Sequence, residues 1–563
     1  MNKFYWLTIL VLSILYMSCE PENPYKTDKF TIAKGQEVFE LQCAACHNFK
    51  SSGIGPNLAG VTREISHDSL RDFIRNAPDK IKQGNERAKR LYAEYKTFMP
   101  VFSHLSDPDL EAILAYINTQ ENDLDSKSAK DFGTPLQNPI PDTILNSGKT
   151  LQLKLITQVP ATAKEKPIAR INKILSVPGS QRIFINDLNG VLYELKKERI
   201  EPVIEISNHY ENFISKPGLG SGLGSFAFHP EYLENGLFYT SHTEEPDPLK
   251  RSDFSFHDSI PKKLIWILTE WNQENPDKTE FSGTKRELLR VDMVTQIHGM
   301  QEITFNPTAK KGEEDYSKLY ISIGDGGSVG SKYLSLTQDK SKIWGSILRI
   351  DPSGSNSKNR QYGIPENNPF FNDKNALGEI WAFGFRNPHR ITWDSQNGNM
   401  LASEIGQHNI EELNLIEKGK NYGWPKREGT FKMFTETDLK SVYALDSEEN
   451  DGFAYPVAQF DHDEANAICG GFVYYGKAMP ELQGKYIFGS IVKGRLFMLN
   501  AEELQLGKQA VIEELNITYN GSTTLKSLTE SERVDFRIGI DANGELIIFT
   551  KSDGKIYKVI GIK

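Results

Sequence analysis

The chain has 563 residues, too many for a single hydrophobic core, so we expect at least two domains. Hydrophobic residues make up 38% of the chain and charged residues 25%, which is the composition of an ordinary soluble globular protein. The net charge of −10 and the isoelectric point near 5.7 argue against nucleic acid as a partner.

The N-terminal segment, residues 1–19, has the pattern of an export signal. Lys3 precedes the apolar run "FYWLTILVLSILYM", which is too short to span a bilayer, and the small residue Ser18 stands before Cys19. A membrane anchor and a fortuitous apolar start are the alternatives. A cysteine directly after such a run resembles the lipobox of bacterial lipoproteins. This resemblance implies that Cys19 is lipidated, that residues 20–28 form a tether, and that the protein is exported and membrane-anchored, facing the periplasm or the cell surface.

The motif "CAACH" places Cys43, Cys46 and His47 in the Cys-x-x-Cys-His pattern of c-type haem attachment. In that chemistry the two sulfurs form thioethers with the porphyrin, and the histidine binds the iron as the proximal ligand. A zinc site needs two further soft ligands, yet the remaining two of the four cysteines, Cys19 and Cys469, are far apart in the sequence. A thioredoxin-type dithiol needs no adjacent histidine, and no βαβ pattern surrounds this motif. The motif therefore predicts haem c.

Residues 29–121 resemble a small all-α class I cytochrome c. Gly35 and Phe39 precede the haem motif at helix-compatible spacing, "GPNLAG" follows it, and "SDPDLEAILAYINT" predicts a capped, amphipathic final helix. The resemblance places Met99, in "TFMPVFSHLSDPDL", as the sixth ligand of the iron. A core methionine and ligation by His104 are the alternatives. A histidine–methionine pair favours one-electron transfer over oxygen chemistry, so we expect this domain to carry electrons.

The remainder of the chain has a different sequence pattern, first a polar segment and then strand-like segments. Residues 122–150 are polar, contain Pro and Gly and lack a sustained period, which predicts a linker. Within 151–563, short β-rich segments beside Gly or Asn turns recur six times, as in "SKLYISIGDGG" and "NGELIIFTKSDGKIYKV". The recurrence predicts an all-β six-bladed β-propeller, with a double sandwich as the alternative. The expected fold class is therefore multidomain, a small all-α cytochrome c domain followed by a propeller whose channel mouth would carry the chemistry.

Longer motifs in this part occur in a recognisable order between about 165 and 559. They include "GLGSFAFHPEYLENGLFYTSHT", "WGSILRIDPSG", "EIWAFGFRNPHRITWD", "EIGQHNIEELNLIEKGKNYGWP" and "GGFVYYGKAMPELQGKYIFGSIVKGRL". Together they resemble the soluble pyrroloquinoline-quinone (PQQ) dependent aldose dehydrogenases, the glucose/sorbosone dehydrogenase family of six-bladed propellers. The resemblance implies an enzyme that oxidises a sugar hydroxyl by hydride transfer to PQQ.

Such a reaction needs a base for the hydroxyl proton, an electron-accepting cofactor and cations that polarise the cofactor. His298 of "IHGMQEITF" falls where the family places its base, and Asp325 of "IGDGG" matches the carboxylate that orients this base. A carboxylate in that position fixes the tautomer of the imidazole. A structural histidine is the alternative for His298.

The resemblance also implies a cofactor and metal site. Arg386 and Asn387 of "GFRNP" match the residues over the quinone, where the arginine would act in catalysis by stabilising negative charge on the reduced cofactor. A surface salt bridge is the alternative for the arginine. Gly406 and Gln407 of "EIGQ" match a turn whose backbone carbonyls bind a Ca²⁺ against PQQ, because hard cations prefer oxygen ligands.

The expected contacts to the PQQ carboxylates are Lys493 of "SIVKGR" and the pair Arg533 and Arg537 of "ERVDFRIGID". The family has an Arg-x-Arg pair, whereas these two arginines are four residues apart, a spacing that still leaves both on one face of a strand. A solvated turn lysine is the alternative for Lys493. Glutamines that line the sugar pocket in some members align near Gly220 and Gly330, so the pocket of this chain departs from the family there.

Two functional hypotheses follow. In the first, the propeller oxidises an aldose or similar alcohol with PQQ and Ca²⁺, and electrons leave through the tethered haem c to a downstream cytochrome or respiratory chain. The tether would raise the effective concentration of the haem beside the reduced quinone. In the second, a non-enzymatic propeller lipoprotein binds a glycan or protein and carries an electron-transfer cytochrome.

Overall fold

The computed structural model describes residues 24–44, 46–49, 55–95, 97–120, 133–197, 199–216, 220–446 and 452–563. It contains a small helical region with the haem motif, followed by a large all-β domain, so the predicted order of an all-α and an all-β part is confirmed. The export segment and Cys19 lie outside the described residues. Within the described residues, no helix has the length and apolarity needed to cross a membrane.

The small domain is built from α1 (Lys29–Gln42), α2 (Val61–Glu64), α3 (His67–Arg75), α4 (Ala77–Lys82), α5 (Glu86–Tyr95) and α6 (Asp107–Asn118). The first and last of these helices cross each other. Gly35 permits this crossing, because a Cβ there would overlap the carbonyl of Ala112 on α6. The side chain of Ser106 accepts a hydrogen bond from the backbone N–H of Asp109 and caps α6, as the sequence predicts.

The large domain consists of strands with two short helices, α7 (Tyr232–Asn235) and α8 (Leu525–Thr529). Its strands in chain order are β1 (Leu145–Gln158), β2 (Ile171–Ser176), β3 (Ile183–Asp187), β4 (Val191–Lys196), β5 (Arg199–Glu205), β6 (Leu223–Phe228), β7 (Leu237–Glu244), β8 (Leu264–Gln273), β9 (Gly283–Met293), β10 (Glu302–Phe305), β11 (Leu319–Ile323), β12 (Ser346–Ile350), β13 (Ile380–Phe383), β14 (Pro388–Trp393), β15 (Met400–Glu404), β16 (Ile410–Leu415), β17 (Arg427–Glu428), β18 (Phe431–Phe434), β19 (Asp438–Tyr443), β20 (Ala458–Asp461), β21 (Ile468–Val473), β22 (Lys485–Ser490), β23 (Leu496–Asn500), β24 (Glu513–Thr518), β25 (Phe536–Ile540), β26 (Leu546–Thr550) and β27 (Lys555–Ile562).

These strands form sheets of neighbouring antiparallel strands. Four sheets have four strands each, in the orders β2-β3-β4-β5, β6-β7-β8-β9, β10-β11-β12-β13 and β14-β15-β16-β20, and β17–β19 make a small separate sheet. The last sheet has eight strands, β21-β22-β23-β24-β1-β27-β26-β25, and its two halves meet where β24 pairs in parallel with β1. The strands β2, β6, β10, β14, β21 and β25 neighbour one another in that order, and β25 returns to β2.

The core lies between the faces of successive sheets. Strands such as β11 and β12 are buried along their whole length, which agrees with the mainly apolar residues of their sequences "LYISI" and "SILRI". The first strand also ties the chain ends together, since β1 pairs with β27 as well as with β24. This strand begins at Leu145, inside the segment 122–150 for which we expect a linker.

The small domain contacts the large one through polar side chains. Lys263 forms an ion pair with Glu40 of α1, and Lys440 forms an ion pair with Glu94 of α5. The hydroxyl of Ser103 donates a hydrogen bond of 2.6 Å to a carboxylate oxygen of Glu165. These contacts hold the helical domain against the loop of Glu165, the start of β8 and strand β19.

Candidate redox site

The helical domain has a cavity lined by all four residues predicted to hold a haem, Cys43, Cys46, His47 and Met99. The imidazole Nδ1 of His47 donates to the carbonyl of Pro56 at 3.0 Å. This bond fixes the ring and leaves Nε2 for the iron, the arrangement expected of a proximal ligand. The donor set therefore fits a covalently bound haem.

Burial also suits the two cysteines to thioether formation. Desolvation raises the pKa of Cys43 to about 12 and raises the pKa of Cys46, so both sulfurs lie in surroundings that favour an uncharged form. Met99 packs against the apolar core of the domain, whereas the side chain of His104 is exposed, although both line the cavity. The partial burial of Met99 against this core favours it over His104 as the sixth ligand, and ligation by Met99 stays a prediction.

The haem cavity continues into the large domain as one space of about 1430 Å³. His298, Asn387 and Arg537 line its far part, together with His389, which the sequence does not single out. The charges of Arg533 and Arg386 act on the thiol of Cys46 and lower its pKa against the larger effect of burial. The haem-attachment motif and the candidate base therefore face a common interior.

The candidate base is held by a carboxylate. His298 Nδ1 lies 2.6 Å from Asp325 Oδ1, and both residues are buried. The other oxygen, Asp325 Oδ2, accepts a hydrogen bond of 3.1 Å from the indole N–H of Trp424, and Oδ1 also accepts from the backbone N–H of Gly327 at 2.8 Å. Because the carboxylate accepts the Nδ1 proton, the lone pair of His298 Nε2 is left for the cavity.

The backbone of His298 has a φ of 55°, in the left-handed region that non-glycine residues rarely adopt. Such strain costs about 1 kcal/mol and persists where the surroundings hold the residue in place. Here Gly326 donates its N–H to the carbonyl of His298 at 3.2 Å, which ties the strained residue to the loop of Asp325.

Electrostatics keep the pair in the states that a general base requires. Burial, followed by the charge of Arg386, lowers the pKa of His298, so the imidazole is neutral at neutral pH. Burial opposes ionisation of Asp325, but the charge and hydrogen bond of His298, together with the charge of Arg386 and the N–H of Gly327, lower the pKa of this carboxyl overall. The arrangement can accept a proton at Nε2 and stabilise the resulting imidazolium.

Arg386 lies beside the dyad, and its guanidinium points to the turn that follows β15. Its Nε donates to Gln407 Oε1 at 2.9 Å and its Nη1 to the carbonyl of Ile405 at 3.0 Å. It lines a small separate cavity, whereas its neighbour Asn387 lines the large one. The side-chain oxygen of Asn387 is buried and has no hydrogen-bond partner among the described residues.

The turn predicted to bind Ca²⁺ is held by two glutamates. Glu428 Oε1 accepts the backbone N–H groups of Gln407 at 2.7 Å and His408 at 2.9 Å, and Gly406 donates to Glu411 at 3.4 Å. Gly406 has no space for a side chain, since a Cβ would overlap the carbonyl of Ile410.

The fit of this turn to Ca²⁺ is poor. The guanidinium of Arg386 lies against the turn, and within the described residues no group of three or more His, Cys, Asp or Glu side chains has the arrangement of a metal site. Ca²⁺ binding by the carbonyls of Gly406 and Gln407 stays a prediction.

Only some of the residues predicted to bind the PQQ carboxylates line the large cavity. Arg533 and Arg537 both line the large cavity. The ammonium of Lys493 instead donates to the backbone carbonyls of Asp463 at 3.2 Å and Glu464 at 2.9 Å, and this lysine does not line the cavity.

The structure adds residues that the motifs do not indicate. Arg170 immediately precedes β2 and Lys551 immediately follows β26, and both line the large cavity. A single charged residue at the end of a strand carries no local signal. Near Gly220, where the sequence departs from the family's sugar-pocket glutamine, the side-chain amide of Gln301 donates to the carbonyl of Gly220 at 3.3 Å. A glutamine therefore lines the cavity from position 301 of the sequence.

Comparison with known proteins places these features in families. Residues 173–557 match the family model "Glucose / Sorbosone dehydrogenase", and residues 32–121 match the model "Cytochrome c". The chain is 29% identical to quinoprotein glucose dehydrogenase B of Acinetobacter calcoaceticus over 223 residues, which cover 37% of this chain and 41% of that one. It is 27% identical to the human Hedgehog-interacting protein over 411 residues, which cover 70% of this chain and 51% of that one.

Among solved structures, the large domain is similar to the soluble aldose sugar dehydrogenase from Escherichia coli in its apo form. The TM-score is 0.51 at 17% identity, with coverage of 74% of this chain and 99% of that one. At this identity the likeness concerns the fold alone. The chain spans about half the length of several curated relatives that it matches.

Proposed function

Because the chain belongs to the glucose/sorbosone dehydrogenase family and carries a cytochrome c domain in front of it, we propose that it is an exported quinohaemoprotein that oxidises an aldose or a similar alcohol with PQQ and passes the electrons to its own haem c. The observation that carries the proposal is the common cavity of about 1430 Å³, which is lined both by the haem-attachment motif and by His298.

In this mechanism His298 is the general base. Its Nε2 takes the proton of the substrate hydroxyl as the hydride leaves the same carbon, and Asp325 stabilises the imidazolium that forms. When bound, PQQ supplies the two-electron acceptor and haem c the one-electron relay. Arg386 contributes positive charge close to the dyad, since its backbone carbonyl accepts the N–H of Asp325 at 2.7 Å.

The chemistry of the cavity walls supports an anionic cofactor. Asn387 offers a buried side-chain oxygen, and both ring nitrogens of His389 are buried, all without hydrogen-bond partners among the described residues. Buried polar groups are normally paired, so these orphaned atoms favour a ligand in contact with them. Arg533 and Arg537 supply positive charge on the same cavity wall.

The closed order of the strands β2, β6, β10, β14, β21 and β25 supports the six-bladed propeller. Each of these strands begins a four-stranded unit, with two units merged in the eight-stranded sheet. In such an architecture the first strands surround a central channel, and the candidate residues lie at one mouth of it.

The decisive experiment reconstitutes the full haem-containing chain with PQQ, with and without Ca²⁺, and follows haem absorbance while aldoses are added. The proposal expects haem reduction that requires both PQQ and substrate. His298→Ala is expected to bind PQQ as the wild type does and to lose substrate-driven reduction, since only the base is removed. Retained turnover in this variant would show that His298 is not the general base. Failure of the wild type to bind PQQ would refute the proposal that the protein is a PQQ-dependent enzyme.

Membrane attachment through Cys19 is part of the proposal and has a separate test. We expect Cys19→Ala to leave the protein in the soluble fraction after export, with its redox activity intact. Membrane association of that variant would contradict the anchor. The downstream acceptor would be a cytochrome or a respiratory-chain component.

A second candidate is a non-enzymatic binding propeller, which the similarity to a Hedgehog-interacting protein favours. It expects no PQQ binding and no reduction of the haem by any aldose. The same reconstitution therefore separates the two functions.

A further inference from the structure

One wall of the large cavity has an unusual concentration of positive charge. Arg170, Arg533, Arg537 and Lys551 all line it. The last two are 4% exposed and Arg170 is 8% exposed, so these charges are removed from bulk water. Isolated buried charges are costly, and they are kept in proteins mainly where something pairs with them.

Lys551 is the least satisfied member. Among the described residues, no hydrogen bond or ion pair reaches its ammonium group. Burial, followed by the charges of Arg537 and other neighbours, lowers the pKa of Lys551 well below its ordinary value. The position therefore suits a lysine only when a negative group lies beside it.

Arg537 and Arg170 are held in place by hydrogen bonds that use only part of their guanidinium donors. Arg537 donates from Nη1 to the carbonyl of Phe536 at 2.8 Å and from Nε to Asn172 Oδ1 at 3.3 Å. Arg170 donates from Nη1 to the carbonyl of Ser215 at 2.8 Å. These partners are neutral, so they orient the guanidinium groups without cancelling their charge.

Two acidic side chains beside the buried cations are already engaged. Asp535 accepts from Arg533 Nε at 2.9 Å, and it also acts on Lys551 through its charge. Asp187 accepts the backbone N–H groups of Arg170 at 3.1 Å and Asn189 at 2.7 Å. Glu165, Glu530 and Glu532 also line the cavity, but their side chains are exposed or half-buried. Among the buried residues, Arg170, Arg537 and Lys551 exceed the negative charge of the two aspartates, so the buried part of the wall is positive.

We propose that Lys551, with Arg170 and Arg537, forms a cradle that binds the carboxylates of an anionic cofactor. The identity of that cofactor as PQQ, a tricarboxylate, rests on the proposed function. Lys551 takes the place that the sequence assigns to Lys493, whose ammonium is bound to backbone carbonyls on another loop. Pairing with a carboxylate restores the charge of Lys551, so binding draws a proton into the site.

The test measures binding to the full haem-containing chain by titration calorimetry in two buffers of different ionisation enthalpy. The probes are PQQ, its uncharged trimethyl ester and citrate. The wild type is expected to bind PQQ at least about tenfold more tightly than the ester, with proton uptake. Lys551→Met is expected to weaken PQQ binding by about tenfold to a hundredfold, to abolish the proton uptake and to leave ester binding unchanged.

Two further variants control for folding and for net charge. Lys551→Arg keeps the charge and is expected to recover most of the affinity for PQQ. Lys318→Met removes a lysine that pairs with Asp351, away from the cavity, and is expected to bind as the wild type does. The apo form of Lys551→Met is also expected to have a higher melting temperature than the wild type, because it loses an unpaired buried amine.

The outcomes separate this proposal from the function. Unchanged PQQ affinity in Lys551→Met would overturn the cradle and leave the dehydrogenase proposal standing. Binding of citrate but not PQQ, lost in Lys551→Met, would support the cradle and overturn the choice of cofactor. A wild type that binds neither would overturn both.

Discussion

Replacement of Asp325 by Asn tests how the catalytic base is oriented. The carboxylate accepts the Nδ1 proton of His298 at 2.6 Å and is the ionised partner of that ring. An asparagine can present its N–H₂ group to Nδ1, which moves the ring proton to Nε2 and removes the lone pair that faces the cavity. General-base assistance contributes about 10²- to 10⁴-fold to a rate. The turnover number should therefore fall by that factor, equivalent to about 3 to 5 kcal/mol of transition-state stabilisation.

The assay is the initial rate of haem reduction by PQQ-loaded protein over a range of aldose concentrations, with PQQ affinity measured in parallel. PQQ affinity should stay close to the wild-type value, because Asp325 acts through His298. Trp424→Phe removes only the 3.1 Å bond to the second carboxylate oxygen and should cost about tenfold at most. A turnover number of Asp325→Asn within about twofold of the wild type would refute the base assignment.

The same substitution has a signature in stability. The folded state lowers the pKa of Asp325 below its ordinary value of 3.8, so this carboxyl stabilises the fold above that value. The contribution is lost as the pH falls through the lower folded pKa. Asp325→Asn should therefore be less stable than the wild type at neutral pH, and the difference should shrink in acid, as measured by thermal unfolding at pH 7 and pH 3.

Three further predictions concern other parts of the molecule. Burial raises the pKa of Glu412 to about 7, so this carboxyl destabilises the fold progressively as the pH rises from about 4.5 to 7. In thermal unfolding, Glu412→Gln should therefore raise the free energy of unfolding by up to about 3 kcal/mol at pH 8 and by little at pH 5. An equal increase at both pH values would contradict the shift. Joint replacement of Glu40 and Glu94 by Gln removes the two interdomain ion pairs seen among the described residues and should slow haem reduction about two- to fivefold at low salt. Stopped-flow traces that coincide with the wild type would show that these pairs do not position the cytochrome. Because His298 has a φ of 55°, His298→Gly should be about 1 kcal/mol more stable than His298→Ala, and equal melting temperatures would argue against backbone strain there.

Contiguous motifs were sufficient for much of this site. The three haem-attachment residues lie within one five-residue motif, so their chemistry is local, and the structure places Met99 on the same cavity. The dyad is predicted from the family resemblance of its two motifs, and the structure brings His298 and Asp325 together because they flank the adjacent strands β10 and β11. Short segments with strong propensities thus specify both the elements and the groups at their ends.

Some side chains of the site come singly from distant parts of the sequence. These could be located only in the folded chain. Lys551 and Arg170 are separated by most of the large domain, yet the closure of the sheets brings β2 beside β25 and places both residues on one wall. Arg386 and Lys493 lie in the expected motifs, but their donors bind nearby backbone carbonyls. Sequence determined which groups are available at each strand end, whereas packing between sheets decided which of them meet, because burial and hydrogen bonding depend on neighbours that the local pattern does not specify.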